Sequence, residues 1–118
     1  MKRNTFFENL DRNGLPTGGR KAYWAYKLSI EDRSNILELC DHLTEPEAVD
    51  FIDVLRKAGI TQFVLTDRST SLFATVLALT ANGCTIKGTK DVVRICCKNG
   101  NRWKSTIPGL WFKLGKKK

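Results

Sequence analysis

The spacing of apolar residues along the chain predicts which segments are strands and which are helices. Four segments have the apolar runs typical of strands: 36–40, 62–66, 84–97 and 102–114. In segments 44–59 and 70–82 the apolar residues recur every three or four positions, which predicts a helix after each of the first two strands. This order predicts an α/β fold with a small mixed sheet of about four strands. A βαβαβ core would be followed by a C-terminal antiparallel hairpin.

The two helices predicted in this core differ in how apolar they are. In the first helix, Thr44 is a suitable N-cap and Gly59 a suitable left-handed stop. Its predicted apolar face contains Ala48, Val49, Ile52 and Leu55. The second helix carries apolar residues at Leu72, Phe73, Val76, Leu77 and Leu79. Because these leave little polar surface, we expect the second helix to be central and buried.

The N-terminal third is predicted to be helical, although one segment allows two interpretations. Thr5 can cap a short helix that ends at the turn-forming residues 13–19. In segment 20–30, alternate residues are apolar, as in a strand, but the same residues would also give a helix with an aromatic face. We favour the helix, which makes residues 1–35 a helical N-terminal region.

The length of the chain indicates a single domain. The 118 residues, of which 42% are hydrophobic, suffice for one core. The domain would comprise a helical region (1–35), a βαβα core (36–83), a basic hairpin (84–115) and a lysine tail (116–118). No apolar stretch approaches the roughly 20 residues of a membrane span, and the first residues lack a signal-peptide pattern. We therefore expect a cytoplasmic protein without membrane contact.

The cysteines do not indicate a metal site. Cys40, Cys84, Cys96 and Cys97 have no CxxC spacing, and His42 is the only histidine of the chain. In a reducing cytosol such cysteines are usually small hydrophobic residues, so we expect most of them to be buried. We predict neither a metal nor a cofactor.

The predicted hairpin around Asn99-Gly100 can be closed in two registers. A two-residue turn would pair Cys97 with Arg102 and would place apolar and basic residues together on a mixed face. A three-residue loop, with Asn101 in the left-handed region, separates the two kinds of residue. Its apolar face would contain Val93, Ile95, Cys97, Trp103 and Ile107, and its basic face Arg94, Lys98, Arg102 and Lys104. We adopt the second register because it is the more consistent one.

Positive charge is concentrated in the same hairpin. Residues 84–118 contain ten basic residues and one acid, which gives this segment a net charge of +9, whereas residues 1–83 have a net charge of −1. The ten candidate binding residues are Lys87, Lys90, Arg94, Lys98, Arg102, Lys104, Lys113, Lys116, Lys117 and Lys118. Such a ribbon and tail could bind a phosphate backbone, with release of counterions. The alternative is a solvated face whose lysines protect an edge strand from pairing.

A second candidate site lies where the two short strands end. If the strands at 36–40 and 62–66 are parallel neighbours, their carboxyl ends bring Asp41-His42 close to Asp67-Arg68. His42 could then act as an acid or base, and Arg68 could hold an anion with the following helix N-terminus. The segment has no glycine-rich phosphate loop and no nucleophile elbow, and its Ser and Thr residues are the usual types at a helix cap.

Three stretches of the sequence resemble a known family. They are PTGGRKAYWAYK, AGITQFVLTDRSTSLFATVLALTANGCTIKG and IPGLWFKLG. They are similar to a small, functionally uncharacterised family carried on phages and mobile elements of Gram-positive gut bacteria. The resemblance implies an accessory protein that binds and blocks a host nucleic-acid machine, such as a CRISPR nuclease. It implies no active-site residue.

Two functions remain as hypotheses. The first is a non-enzymatic protein that binds nucleic acid or a nucleoprotein complex through the basic hairpin. The alternative is a small enzyme or anion-binding domain that uses His42, Asp67 and Arg68. A homodimer could form through an exposed sheet edge or through the aromatic residues 23–26.

Overall fold

The computed structural model describes residues 3–31 and 36–115. The helices are α1 (Arg3–Asn13), α2 (Thr17–Glu31), α3 (Glu45–Lys57) and α4 (Leu72–Ala81). The strands are β1 (Glu38–Leu39), β2 (Gln62–Leu65), β3 (Cys84–Lys98) and β4 (Asn101–Leu114). The predicted α/β class is confirmed, with four helices and one open mixed sheet in the described part of the chain. None of the helices there is both long and apolar enough to cross a membrane.

The four strands form one sheet in the order β1-β2-β4-β3. β1 is parallel to β2, as α3 between them requires, whereas β4 is antiparallel to both of its neighbours. β3 therefore runs in the same direction as β2, and β4 fills the gap between them. Only Leu110 to Lys113 of β4 pair with β2, so most of the hairpin continues beyond the carboxyl end of β2.

The main core lies on one face of this sheet, where strand residues meet the helices. Phe63 of β2 and Phe112 of β4 are fully buried and stack with ring centroids 5.3 Å apart. Phe51 of α3 packs edge-on against Phe63 at 5.1 Å. Gln62, Val64 and the residues paired with them point to the opposite side, which we call the second face of the sheet.

The helical interpretation of segment 20–30 is confirmed, but α2 begins earlier than the turn formers suggest. Gly14 is left-handed (φ 78°) and separates α1 from α2, whereas Gly18 belongs to the first turn of α2. A Cβ atom on Gly18 would collide with the backbone carbonyl of Glu47, so this glycine lets α2 and α3 approach closely. The aromatic stretch is divided between core and surface. Tyr26 stacks on Phe7 at 4.3 Å, whereas Trp24 is exposed.

The predicted ends of α3 are confirmed. Thr44 precedes the helix, and its backbone N–H donates to the Glu47 carboxylate at 2.9 Å, as in a capping box. Gly59 follows the helix with φ 78°. The prediction for Val49 is wrong, because this side chain is exposed while Phe51 lies in the core.

The prediction that α4 is central and buried is wrong for one side of the helix. Thr75, Ala78 and Leu79 face the core, but Phe73 is 73% exposed and Leu77 is 52% exposed. The helix packs against α3 and β3, and Phe73 and Leu77 lie on its exposed side. The sequence could not reveal this, because both sides of the helix are apolar.

The expectation that most cysteines are buried is also wrong. Only Cys84 is buried, and this burial raises the pKa of its thiol to about 11. Cys96 is half-buried, and Cys40 and Cys97 are exposed. Within the described ranges no cluster of side chains could hold a metal ion.

Candidate nucleic-acid interface

The basic hairpin is closed by a two-residue turn, so the adopted three-residue register is wrong. Asn99 and Gly100 have φ angles of 52° and 78°, and Lys98 pairs with Asn101. Two consecutive positive φ angles are typical of a type I′ turn, whose twist matches that of the flanking strands. An Asn-Gly pair meets this requirement at little cost, whereas the alternative loop would have needed Asn101 in the left-handed region.

The two-residue turn gives the hairpin two mixed faces. One face carries Val92, Arg94, Cys96, Lys98, Trp103, Ser105 and Ile107. The other carries Val93, Ile95, Cys97, Arg102, Lys104 and Thr106. The predicted basic face is therefore divided, since Arg94 and Lys98 lie opposite to Arg102 and Lys104. The predicted apolar face is divided in the same way, because Trp103 and Ile107 do not share a side with Val93.

A β-bulge at Lys87 determines which residues of β3 lie on the second face of the sheet. Before it, Ile86 pairs with Phe112, and after it Gly88 pairs with Trp111. Gly88 has a φ of 137°, a conformation that residues with a side chain rarely adopt. The extra residue shifts the alternation of β3 by one position, so that its even-numbered residues lie on the second face of the sheet from Gly88 onward.

Beyond the bulge, the hairpin bends back over the second face of the sheet. Glu38 of β1 is level with Trp111, whereas Arg94 is paired with Ser105, six residues before Trp111 in β4. In a straight ribbon this offset is about 20 Å. Arg94 nevertheless forms a two-pronged ion pair with the Glu38 carboxylate. The contact requires residues 91–108, which we call the distal ribbon, to cross β2 towards β1.

Close packing accompanies this bend. Val64 on the second face of the sheet is fully buried, and so is Val92 on the inner side of the distal ribbon. At Gly109, a Cβ atom would collide with the Val64 side chain and would lie 2.9 Å from the Leu65 carbonyl oxygen. Gly109 therefore permits a backbone approach that no other residue type would allow.

The Glu38 carboxylate is part of a buried polar group beneath the distal ribbon. Its side chain is 6% exposed, compared with 34% for Arg94. Thr66 donates its hydroxyl to the same carboxylate at 2.7 Å. A buried charge is tolerated only when it is paired in this way, so Arg94 contributes to the fold.

The ten predicted binding residues consequently fall into three groups. Arg94 is engaged by Glu38, and Lys90 lies 5.0 Å from the ring centroid of Trp111. Five are exposed and form no ion pair or side-chain hydrogen bond with a described residue: Lys87, Lys98, Arg102, Lys104 and Lys113. Lys116, Lys117 and Lys118 lie outside the described residues.

Trp103 lies among the exposed cations, close to the turn. It pairs with Cys96 and is 46% exposed, so it is not a core residue as the predicted apolar face implied. Lys98, Arg102 and Lys104 lie within five positions of it. Of these three cations, Lys98 shares a face of the ribbon with Trp103. An exposed indole beside a cation is a surface on which nucleic-acid bases can stack.

At the carboxyl ends of β1 and β2, the Asp67 carboxylate stabilises a local turn. It accepts hydrogen bonds from the backbone N–H and the hydroxyl of Ser69, both at 2.9 Å. The Ser69 hydroxyl in turn accepts from the N–H of Ser71, the residue before α4. These bonds stabilise the turn that precedes α4, although the N-cap residue Ser71 itself makes no side-chain capping bond.

The remaining residues of this crevice lie in different surroundings. Asp67 and Arg68 line a largely apolar cavity of about 300 Å³ together with Leu72, Pro108 and Leu110. Asp41 lines a separate cavity of about 170 Å³ beside Trp24. The half-exposed imidazole of His42 lies 3.1 Å from the Asp41 carboxylate. The structure gives no contact between His42 and Arg68.

Replacing Ser69 with alanine should lower the free energy of unfolding by about 1 kcal/mol, because Asp67 and the Ser71 N–H each lose a partner. Thr70→Ala is the matched control. Thr70 is exposed and its hydroxyl has no described hydrogen bond, so its effect should stay below about 0.5 kcal/mol. Urea unfolding measures both variants, and equal losses would contradict a capping function for Ser69.

The match to a known family covers most of this architecture. Residues 21–114 match the model of a domain of unknown function, DUF7698. The chain belongs to this family. No curated protein and no solved structure matches the chain. The matched region extends from α2 to the end of β4 and so includes the whole distal ribbon. The phage origin implied by the sequence resemblance stays a prediction.

Proposed function

We propose that the protein is a non-enzymatic nucleic-acid-binding protein that contacts the phosphate backbone through the end of its hairpin. The observation that carries the proposal is the group of three exposed cations around the turn, Lys98, Arg102 and Lys104. None of them is neutralised by a described residue, and residues 92–115 contain no acid. Unpaired positive charge at a protruding end attracts a polyanion.

The arrangement of these cations suits contact with the phosphate backbone of a nucleic acid better than recognition of a single base edge. Arg102 and Lys104 point away from the sheet, and Lys98 lies on the other side of the ribbon. A two-stranded ribbon with cations on both sides could meet phosphates on both walls of a groove, since the major groove of DNA admits such a ribbon. Trp103 adds a flat surface on which an unpaired base could stack.

The test is the affinity of the double variant Arg102→Gln/Lys104→Gln for fluorescently labelled DNA and RNA, in single-stranded and duplex form, measured by anisotropy. If each cation contacts one phosphate, the slope of log K against log salt should fall by about 1.8 on duplex DNA. The measurement extends from roughly 50 to 200 mM salt, where such contacts weaken binding most clearly.

The matched control is Arg12→Gln/Lys57→Gln, which removes the same charges from α1 and α3. Arg12 has no described partner, and Lys57 forms only an exposed pair with Asp53. This variant should keep the salt slope of the wild type. If the two double variants bind equally well, the hairpin is not the binding surface. Absence of binding to all four nucleic acids at the lowest salt would contradict the proposal and favour a protein partner.

The more specific function implied by the sequence resemblance belongs to the same proposal. An accessory protein of a phage or mobile element could use this end of the hairpin to hold the nucleic acid of a host complex, such as a CRISPR nuclease. The proposed mechanism is not mimicry of DNA by an acidic surface, because the chain has a net charge of +8.

The cavity beside Arg68 supports a second candidate function. It is mostly apolar but includes one exposed guanidinium, a combination suited to a small amphipathic anion. A screen of anionic fragments by ligand-observed NMR tests it, with Arg68→Ala as the variant. Fragments that bind the wild type and the variant equally well would exclude a function for Arg68.

A further inference from the structure

Another cleft, at the other end of the parallel strands, is lined by two described cations that are far apart in the sequence. It has a volume of about 250 Å³. Arg3 of α1 and Lys90 of β3 contribute the charges. Gly59, Thr61 and Gln62, where the chain enters β2, line another part of the cleft. Trp111 of β4 completes the wall. None of the lining residues that the structure describes is an acid.

Arg3 lines the cleft with a partly unsatisfied guanidinium. This group lies 4.7 Å from the ring centroid of Tyr26, and its buried Nε atom has no acceptor among the described residues. This burial lowers the pKa of Arg3, although an arginine is still protonated at neutral pH. A buried N–H without an acceptor is costly and therefore uncommon, so an acceptor from a ligand would stabilise this arrangement.

Lys90 is positioned by an aromatic ring. Its Nζ lies 5.0 Å from the centroid of Trp111, and no described residue forms an ion pair with it. Trp111 is itself fixed, because its indole N–H donates to the Gln62 side-chain oxygen at 3.1 Å. A cation–π contact orients the ammonium group but leaves its three donors available to a ligand.

We propose that this cleft binds the phosphoryl group of a phosphate monoester. Such a group carries a charge of about −1.5 to −2 at neutral pH, which matches two cations that form no ion pair with a described residue. Arginine supplies a planar fork for two oxygens, and lysine supplies a point charge. The volume lies below the roughly 300 to 1,000 Å³ of sites that enclose a whole drug-sized ligand, so the phosphoryl group enters and the rest of the molecule extends outwards.

The experiment is a titration of the ¹⁵N-labelled protein, with the Trp111 indole N–H as the NMR signal, assigned by its loss in Trp111→Phe. Three probes are used: inorganic phosphate, a nucleoside 5′-monophosphate with its nucleoside as reference, and a 5′-phosphorylated oligonucleotide with its 5′-hydroxyl form as reference. The signal should shift with the phosphorylated probes and should not move with either reference.

Two variants and two matched controls test the cations. Lys90→Gln and Arg3→Gln should each weaken binding about tenfold, the effect of losing one charged hydrogen-bond donor. Lys87→Gln lies on the same strand as Lys90 and Arg12→Gln on the same helix as Arg3, and both should stay within about twofold of the wild type. The hairpin variant Arg102→Gln/Lys104→Gln should also leave this signal unchanged, so the cleft can fail or succeed independently of the proposed function.

The outcomes separate the sources of the phosphoryl group. A preference for the mononucleotide supports the cleft and identifies a small metabolite, whereas a preference for the 5′-phosphorylated oligonucleotide supports it and identifies a nucleic-acid end. Equal affinity for inorganic phosphate supports a general phosphate site. The proposal is overturned if no probe shifts the Trp111 signal at about 10 mM, or if the control variants weaken binding as much as Lys90→Gln.

Discussion

Replacing Arg94 with methionine should lower the free energy of unfolding by about 2 to 3 kcal/mol. The substitution keeps an unbranched apolar side chain on the inner side of the distal ribbon but leaves the Glu38 carboxylate without its cation. That carboxylate is almost fully buried, with the Thr66 hydroxyl as its remaining described side-chain partner. Removing one member of a buried pair costs more than the pair contributes, because the other charge stays desolvated.

Two further variants show whether the loss comes from the stranded carboxylate. In Glu38→Gln/Arg94→Met the buried group is neutral, and the amide oxygen can still accept from Thr66, so at least half of the lost stability should return. Arg102→Met removes a cation from the outer side of the same ribbon and should change stability by less than about 0.5 kcal/mol. Urea denaturation gives all three values. A loss of the same size for Arg102→Met would show that the effect belongs to hairpin charge in general.

The same substitution should also loosen the distal ribbon locally. Val92 and Ile107 pair with each other on its inner side, next to the Arg94 position. If Arg94 holds the ribbon against the sheet, the backbone amides near these residues should exchange hydrogen faster in Arg94→Met, while those of α3 should keep their protection. Uniformly faster exchange would indicate global destabilisation only.

Much of this architecture could be predicted from the sequence because local rules determine it. Thr44 and Gly59 define the ends of α3 by capping chemistry, and the class of the fold follows from the order of the apolar runs. The predicted hairpin register is wrong for a physical reason. Segregation of apolar and basic residues favours the three-residue loop, but a ribbon that folds onto the sheet can bury parts of a mixed face, so the Asn-Gly turn determines the register.

The candidate sites depend on contacts between distant parts of the chain, which spacing along the sequence does not reveal. Arg94 and Glu38 are 56 residues apart, and nothing near either residue indicates their pairing. Arg3 and Lys90 line one cleft although they are far apart in the sequence. The charge asymmetry predicts the hairpin as a candidate surface, and the structure separates the cation that holds the fold from those that remain exposed at the end of the hairpin.

Replacing Gly109 with alanine should lower the free energy of unfolding by about 2 to 3 kcal/mol. The added methyl group would collide with the Val64 side chain and would lie 2.9 Å from both the Leu65 carbonyl oxygen and the Thr66 side chain. The carbonyl oxygen cannot move away by rotation, since Leu65 is paired with Leu110 in the sheet. Gly109 does not have a positive φ, so the loss would measure steric exclusion and not a forbidden backbone conformation.

A double-mutant cycle with Val64→Ala tests this steric explanation. Val64→Ala alone should be destabilising, because it removes two fully buried methyl groups. In Gly109→Ala/Val64→Ala the new methyl group gains part of the space that the valine side chain occupied. The combined loss should therefore be smaller than the sum of the single losses by about 1 kcal/mol. Additive losses would show that the collision is not with Val64, and a loss below about 0.5 kcal/mol for Gly109→Ala would contradict the close crossing of β2 by the distal ribbon.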